Sequence, residues 1–171
     1  MSLSKLGVGV IGTGMAATPH AKALNDLRDH IDLRGVFSRN AEKCKTFASR
    51  FELPFIKNIE DLINDPKLDI IIIITPPNQR LKLVQQFSDA GKHILMEKPV
   101  ERSSAKAKII VNLCKENKMP AIALTDTQNM FGAFEFSLTC QKNRVQPILG
   151  INLQLENLNP MQLMMMAMNM Q

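Results

Sequence analysis

Two glycines near the amino terminus begin a segment whose residue types and spacing suit the binding of a charged ligand. The segment reads G-T-G-M-A-A over residues 12–17 and follows a short apolar run. In a turn from a strand into a helix, Gly12 allows the tight bend, Gly14 lets the backbone approach a pyrophosphate, and Ala17 lets the helix pack closely. The start of that helix offers free N–H groups to the anion. Thr13 and Met15 belong to the same predicted site, and a glycine turn without a ligand is the alternative.

The residues after the second predicted strand bear on which dinucleotide would fit. Ser38 and Arg39 stand where sites for NAD usually place an acidic residue that holds the ribose 2′-hydroxyl. A guanidinium can pair with a 2′-phosphate, which a carboxylate would repel. The sequence therefore predicts NADP as the cofactor, with NAD as the alternative. A solvated Arg39 ahead of a helix is the other interpretation.

Three further observations concern longer segments. The chain carries V-G-V-I-G-T-G over residues 8–14, T-P-P-N over 75–78 and A-G-K-H-I-L-M-E-K-P over 90–99. Together these segments resemble the Gfo/Idh/MocA oxidoreductases, a family named for glucose–fructose oxidoreductase and inositol dehydrogenase. The third segment is the most specific of them, and the resemblance covers about residues 5–118.

The resemblance implies hydride transfer between C4 of a nicotinamide ring and a hydroxyl-bearing carbon of a small-molecule substrate, usually a sugar or cyclitol. It implies that Lys98 donates hydrogen bonds to the reacting groups and helps to move the hydroxyl proton, which requires a lysine pKa lowered toward neutrality. Glu97 would orient this loop, and both residues would also contact the cofactor. Thr75, Pro76 and Asn78 would line the nicotinamide side. An ordinary exposed turn is the alternative interpretation of the Glu-Lys-Pro segment.

Two features depart from the family's pattern. Arg80 stands where members often carry a histidine, and no histidine follows His93. The residues after Lys118 do not resemble the family's second domain, a mixed sheet that supplies further catalytic residues, commonly an Asp and a His. We therefore expect a chain that lacks this C-terminal mixed-sheet domain and has an incomplete hydride-transfer site.

The last third of the chain carries sequence motifs of a different kind. It carries P-A-I-A-L-T-D over residues 120–126, N-M-F-G-A over 129–133 and Q-P-I-L-G over 146–150. Residues 119–156 resemble the polymerase-and-histidinol-phosphatase (PHP) domain of the bacterial replicative DNA polymerase alpha subunit. Thr127 stands where metal-binding members carry a histidine, and the upstream H-x-H pair is missing, so we expect no metal site. A join within residues 113–118 would make the chain a fusion of two truncated genes.

The elements that must position these residues follow from hydrophobic periodicity and turn signals. Five consecutive isoleucines at 70–74 predict a parallel strand buried on both faces. Predicted strands cover residues 8–11, 33–37, 54–56, 69–75, 93–96, 120–124 and 147–155, and predicted helices cover 15–29, 41–51, 59–64, 79–90, 103–117 and 131–142. Their alternation predicts an α/β fold, a Rossmann-type doubly wound parallel sheet. The expected divisions are an NAD(P)-binding domain at 1–118, a strand–helix–strand segment at 119–159 that extends the sheet, and a Met-rich tail at 160–171.

Composition and charge narrow the class of protein. The 171 residues are 45% hydrophobic and 22% charged, as in globular domains, and the net charge of +5 is too dispersed to indicate nucleic-acid binding. No stretch approaches a membrane span, no signal peptide is recognisable, and three separated cysteines suit a reducing compartment, so we expect a cytoplasmic protein. The alternative functions are a non-catalytic dinucleotide-binding or assembly module and a fragment related to DNA polymerase III alpha. An exposed apolar surface would favour a homo-oligomer.

Overall fold

In the computed structural model, residues 5–97, 103–119, 121–127 and 133–152 are described. Strands and helices alternate along these ranges, as the periodicity predicts. In chain order they are β1 (Leu6–Ile11), α1 (Ala17–Asp26), β2 (Ile31–Phe37), α2 (Ala41–Arg50), α3 (Ile59–Ile63), β3 (Ile70–Ile73), a 3₁₀ turn (Pro77–Gln79) that runs into α4 (Arg80–Asp89), β4 (His93–Met96), α5 (Ser104–Glu116), β5 (Ala121–Thr127), α6 (Ala133–Lys142) and β6 (Gln146–Asn152). The predicted Met-rich tail lies outside the described residues.

The first four strands form one parallel sheet in the order β2-β1-β3-β4. The chain therefore leaves β1 toward β2 on one side and later returns to place β3 on the other side. In such a sheet the strand order reverses at β1, and ligands bind in the crevice beyond the carboxyl ends of the strands at that point. The predicted Rossmann-type fold is confirmed.

The isoleucine strand β3 is buried on both faces, as its composition predicts. Ile72 and Ile74 belong to a core cluster that includes Ala17 and Ala21 of α1. Ile71 and Ile73 belong to a second cluster on the other face of the sheet, with Val84 and Phe87 of α4. Helices thus cover both faces of the sheet, which is the layering of a doubly wound fold.

The predicted strand at 54–56 is wrong. Phe55 forms a single parallel bridge to Val36 of β2 and no ladder. Val36 donates its backbone N–H to the oxygen of Pro54, and Ile56 donates to the oxygen of Val36, at 2.8 and 3.0 Å. Because Pro54 has no N–H of its own, the pairing cannot continue in its direction.

The expectation that the strand after α5 extends the sheet is also wrong. β5 pairs in parallel with β6 along seven residues and forms a separate two-stranded sheet. β5 meets the first sheet's core through side-chain packing, since Ile122 contacts the second cluster. The backbone hydrogen bonds of β5 go to β6, so packing rather than a ladder joins the two parts. Within the described ranges, no helix is both long and apolar enough to cross a bilayer.

Candidate functional site

A cleft of about 720 Å³ opens where β1, β2 and β3 end. The parallel register brings the carboxyl ends of these strands to one edge of the sheet, so the loops that follow them share the cleft. Its walls are formed by Ile11, Gly12, Thr13, Gly14, Phe37, Ser38, Arg39, Asn40, Lys43, Ile59, Glu60, Ile74, Thr75, Pro76, Asn78, Gln79, Lys82, Leu83 and Gln86.

Gly12 is required by the fold itself. Its φ of +108° is one that L side chains rarely adopt, and an added Cβ would lie 3.1 Å from the carbonyl carbon of Ile74. Its backbone N–H donates to the oxygen of Phe37 at 2.9 Å, which ties the turn to the end of β2. Gly12 therefore serves the tight bend that the sequence pattern predicts.

Gly14 has no such structural requirement. Its φ lies outside the left-handed region, and an added Cβ would have no heavy atom of the described part of the chain within 4 Å. The space beside it is the cleft. Helix α1 begins just beyond, with no side-chain cap and no acidic residue in its first turn. A bare backbone and an uncapped helix start on one wall suit the approach of an anion.

The end of β2 forms a second wall. The hydroxyl groups of Thr13 and Ser38 are 3.3 Å apart, which links this wall to the glycine turn. Arg39 is exposed, and its Nη1 lies 3.5 Å from Oε1 of Gln79 on the opposite wall. The Asn40 side chain accepts a hydrogen bond of 2.9 Å from the backbone of Lys43 and so caps α2, as the sequence predicts.

Sequence reasoning missed two cations of the cleft, Lys43 and Lys82. Lys43 lies in the first turn of α2, three residues after the cap, and this spacing was the signal that could have found it. With Arg39, the described lining has three cations against one acid, Glu60. This surplus favours a ligand that carries phosphate groups.

The loop after β3 forms the third wall through Thr75, Pro76 and Asn78. The Thr75 hydroxyl oxygen is shielded from solvent and has no hydrogen-bond partner within the part of the chain that the structure describes. A buried polar atom normally has a partner, so this hydroxyl is suited to a ligand group in the cleft.

Arg80 follows this loop and is 2% exposed. Its Nε donates to the backbone oxygen of Thr75 at 2.8 Å, and its Nη1 donates to the backbone oxygen of Glu97. The Glu97 carboxylate is 3.0 Å from Nε2 of His20 on α1. Neither Arg80 nor His20 was a predicted site residue. The position at which the family often has histidine thus holds a buried link between the ends of β3 and β4.

The structure brings most of the predicted cofactor-binding residues into this one cleft: Gly12, Thr13, Gly14, Ser38, Arg39, Thr75, Pro76 and Asn78. Three others do not line it. Met15 points into solvent, Ala17 faces the core as the first residue of α1 at 1% exposure, and the Glu97 side chain is paired with His20. Lys98 lies outside the described residues.

Two family models match the chain. Residues 6–123 match the oxidoreductase family with an NAD-binding Rossmann fold, the Gfo/Idh/MocA family, and residues 99–171 match the PHP domain. The two ranges overlap over residues 99–123, which include the predicted join. Both resemblances inferred from the sequence are confirmed, and so is the NAD(P)-binding class of the fold.

Individual proteins agree with this division. An uncharacterized protein of Saccharomyces cerevisiae is 30% identical over 122 residues, 69% of this chain and 35% of that protein. DNA polymerase III subunit alpha of Mycoplasma genitalium is 44% identical over 54 residues, 32% of this chain and 6% of that one. The crystal structure of a putative NADPH-dependent oxidoreductase from Desulfitobacterium hafniense has a TM-score of 0.62 at 28% identity, over 67% of this chain and 33% of its own. The chain spans about a third of the length of the oxidoreductases it matches.

Proposed function

Because the chain belongs to the oxidoreductase family with an NAD-binding Rossmann fold, we propose that its cleft binds NADPH. We further propose that the chain takes part in hydride transfer to or from a sugar or cyclitol carbon. The substrate class follows from the family resemblance alone.

The observation that carries the proposal is the contrast between the two glycines of the turn. Backbone strain explains Gly12, whereas no packing contact among the described residues explains Gly14. A ligand that needs the backbone of Gly14 uncovered does explain it. The uncapped start of α1 and three cations in the same cleft are what a dinucleotide with phosphate groups requires.

Each wall has a proposed part of the ligand. The glycine turn and the start of α1 hold the pyrophosphate, while Arg39 pairs with the 2′-phosphate and Lys43 adds charge beside it. The hydroxyl of Thr75 offers a hydrogen bond to the nicotinamide half, against which Pro76 and Asn78 pack. The cofactor, when bound, supplies the carbon that gives or accepts the hydride. In this proposal Lys98 moves the proton of the substrate hydroxyl, and Glu97 orients the backbone segment to which Lys98 belongs.

Calorimetric titration of the full chain with NADPH, and in parallel with NADH, tests the proposal. We expect saturable binding with higher affinity for NADPH. Failure of a folded chain to bind either dinucleotide would overturn the proposal. Circular dichroism establishes in the same sample whether the chain is folded.

A turnover assay then distinguishes the oxidoreductase from the alternative functions. If NADPH binds, the chain is incubated with NADP⁺ and a panel of sugars and cyclitols, and formation of NADPH is followed by absorbance. Reduction of NADP⁺ to NADPH supports the proposed oxidoreductase activity. Binding without reduction favours a dinucleotide-binding or assembly module, and a folded chain without binding leaves the PHP-like part as the source of any function.

A further inference from the structure

Arg80 stands at an electrostatically unfavourable place. It is the first residue of α4, directly after the 3₁₀ turn Pro77–Gln79, and is 2% exposed. A buried guanidinium has lost its hydration, which costs free energy unless its N–H groups find other partners. Burial therefore disfavours a cation here, and the contacts of the guanidinium must compensate for it.

Those contacts join two strands just beyond their last paired residues. The β3–β4 ladder ends with Ile73 opposite Met96, and the N–H of Glu97 still donates to the oxygen of Ile73 at 3.0 Å. Beyond that point the Arg80 side chain connects the two strands: its Nε donates to the backbone oxygen of Thr75 and its Nη1 to the backbone oxygen of Glu97. The planar fork of arginine can reach two carbonyl groups at once, which the ammonium of lysine does less well.

The two carbonyls belong to the segments that the proposed function uses. Thr75 begins the wall at residues 75–78, and Glu97 directly precedes Lys98. Arg80 itself does not line the cleft. The Glu97 side chain is held as well, by His20 on the helix that follows the glycine turn.

We propose that Arg80 is a positioning residue: its buried guanidinium clamps the wall at residues 75–78 to Glu97, and so fixes the nicotinamide half of the site. The proposal rests on the proposed binding of NADPH. It assigns no contact between Arg80 and the ligand, so the affinity of the cleft for the adenosine half of the dinucleotide should not depend on Arg80.

The test compares NADPH with adenosine 2′,5′-bisphosphate, which has the 2′-phosphate but no nicotinamide. In Arg80→Lys we expect affinity for NADPH to fall roughly tenfold while affinity for the bisphosphate stays within about twofold. The anisotropy of bound NADPH fluorescence should also fall, and the chain has no Trp or Tyr to interfere. Arg34→Lys is the matched control, because Arg34 bridges Asp32 and Asp65 away from the cleft.

Equal losses for both ligands in Arg80→Lys, or no loss for either, would overturn the proposal. If the wild-type chain binds neither ligand, the proposed function fails and this inference fails with it, whatever the variant does. If the variant does not fold, hydrogen exchange on the wild-type chain decides. NADPH, but not the bisphosphate, should protect the amides of residues 74, 75, 78, 79 and 97 together, because residues 76 and 77 are prolines without an N–H. Protection of residues 74, 75, 78 and 79 without residue 97 would contradict the clamp.

Discussion

The guanidinium of Arg39 and the side-chain amide of Gln79 face each other across the cleft, with 3.5 Å between Nη1 and Oε1. This distance is at the long limit of a hydrogen bond, and the pair is exposed, so the contact holds the guanidinium weakly. An anion that enters between the walls can therefore replace Gln79 as the partner of Arg39 at little cost.

Arg39→Ala should weaken NADPH binding by about 1–3 kcal/mol and NADH binding much less, because only NADPH carries the 2′-phosphate. Calorimetry with both dinucleotides measures the difference. Arg50→Ala, at the exposed far end of α2, removes the same charge outside the cleft and should leave both affinities unchanged. An equal loss of NADPH and NADH affinity in Arg39→Ala would remove the role in discrimination.

The two glycines of the turn should respond in opposite ways to a single methyl group. Gly14→Ala has space for its Cβ and an ordinary φ, so the thermal midpoint should stay near that of the wild type while dinucleotide affinity falls at least about tenfold. Gly12→Ala forces a strained φ and a close contact with Ile74, so it should lower the thermal midpoint without any ligand present. Melting curves and NADPH titrations of both variants check the pair. Unchanged affinity in Gly14→Ala would refute the assigned approach of the ligand.

The sheet and the cleft could be predicted because their signals are local. The isoleucine run indicates a strand buried on both faces, and residues that follow parallel strands meet at one edge. Thr75 and Arg39 are distant in sequence, yet each follows a strand of the same sheet, so the pattern alone places them together.

Two features could not be predicted because they depend on distant partners. An arginine side chain is expected to be exposed, whereas Arg80 is buried and donates hydrogen bonds to the backbone oxygens of Thr75 and Glu97. The strand pattern over 120–124 predicts β5 without specifying its neighbour. β5 pairs with β6 along seven consecutive residues, and no local sequence pattern in either strand specifies that partner.

Helix α2 offers a test of a single side-chain cap. Asn40→Ala removes the hydrogen bond to the backbone of Lys43 and should lower the free energy of unfolding by about 1 kcal/mol. Asn58 occupies the same position before α3 but makes no capping side-chain hydrogen bond, so Asn58→Ala is the matched control and should have a smaller effect. Urea unfolding of the three proteins measures the difference. Equal losses of unfolding free energy in both variants would mean that the hydrogen bond from the Lys43 backbone to the Asn40 side chain does not itself contribute to stability.

Stability should also fall at alkaline pH because of the buried thiol of Cys114 on α5. Burial, together with the neighbouring Cys140, raises the pKa of Cys114 from 9.0 to about 11. Below pH 9 the thiol keeps its proton in both the folded and the unfolded chain, so its contribution to stability is complete there. As pH rises from 9 toward 11, the unfolded chain loses the proton first, and the folded state becomes less stable relative to it.

Urea unfolding followed by circular dichroism across this pH range measures that loss. Cys114→Ala removes the titrating group, so its unfolding free energy should decline less steeply with pH than that of the wild type. The chain has no tyrosine, so no phenol titrates in the same window, and the lysines are common to both proteins. Parallel pH profiles for the two proteins would mean that Cys114 ionises alike in the folded and unfolded chain, contrary to its burial at 5% exposure.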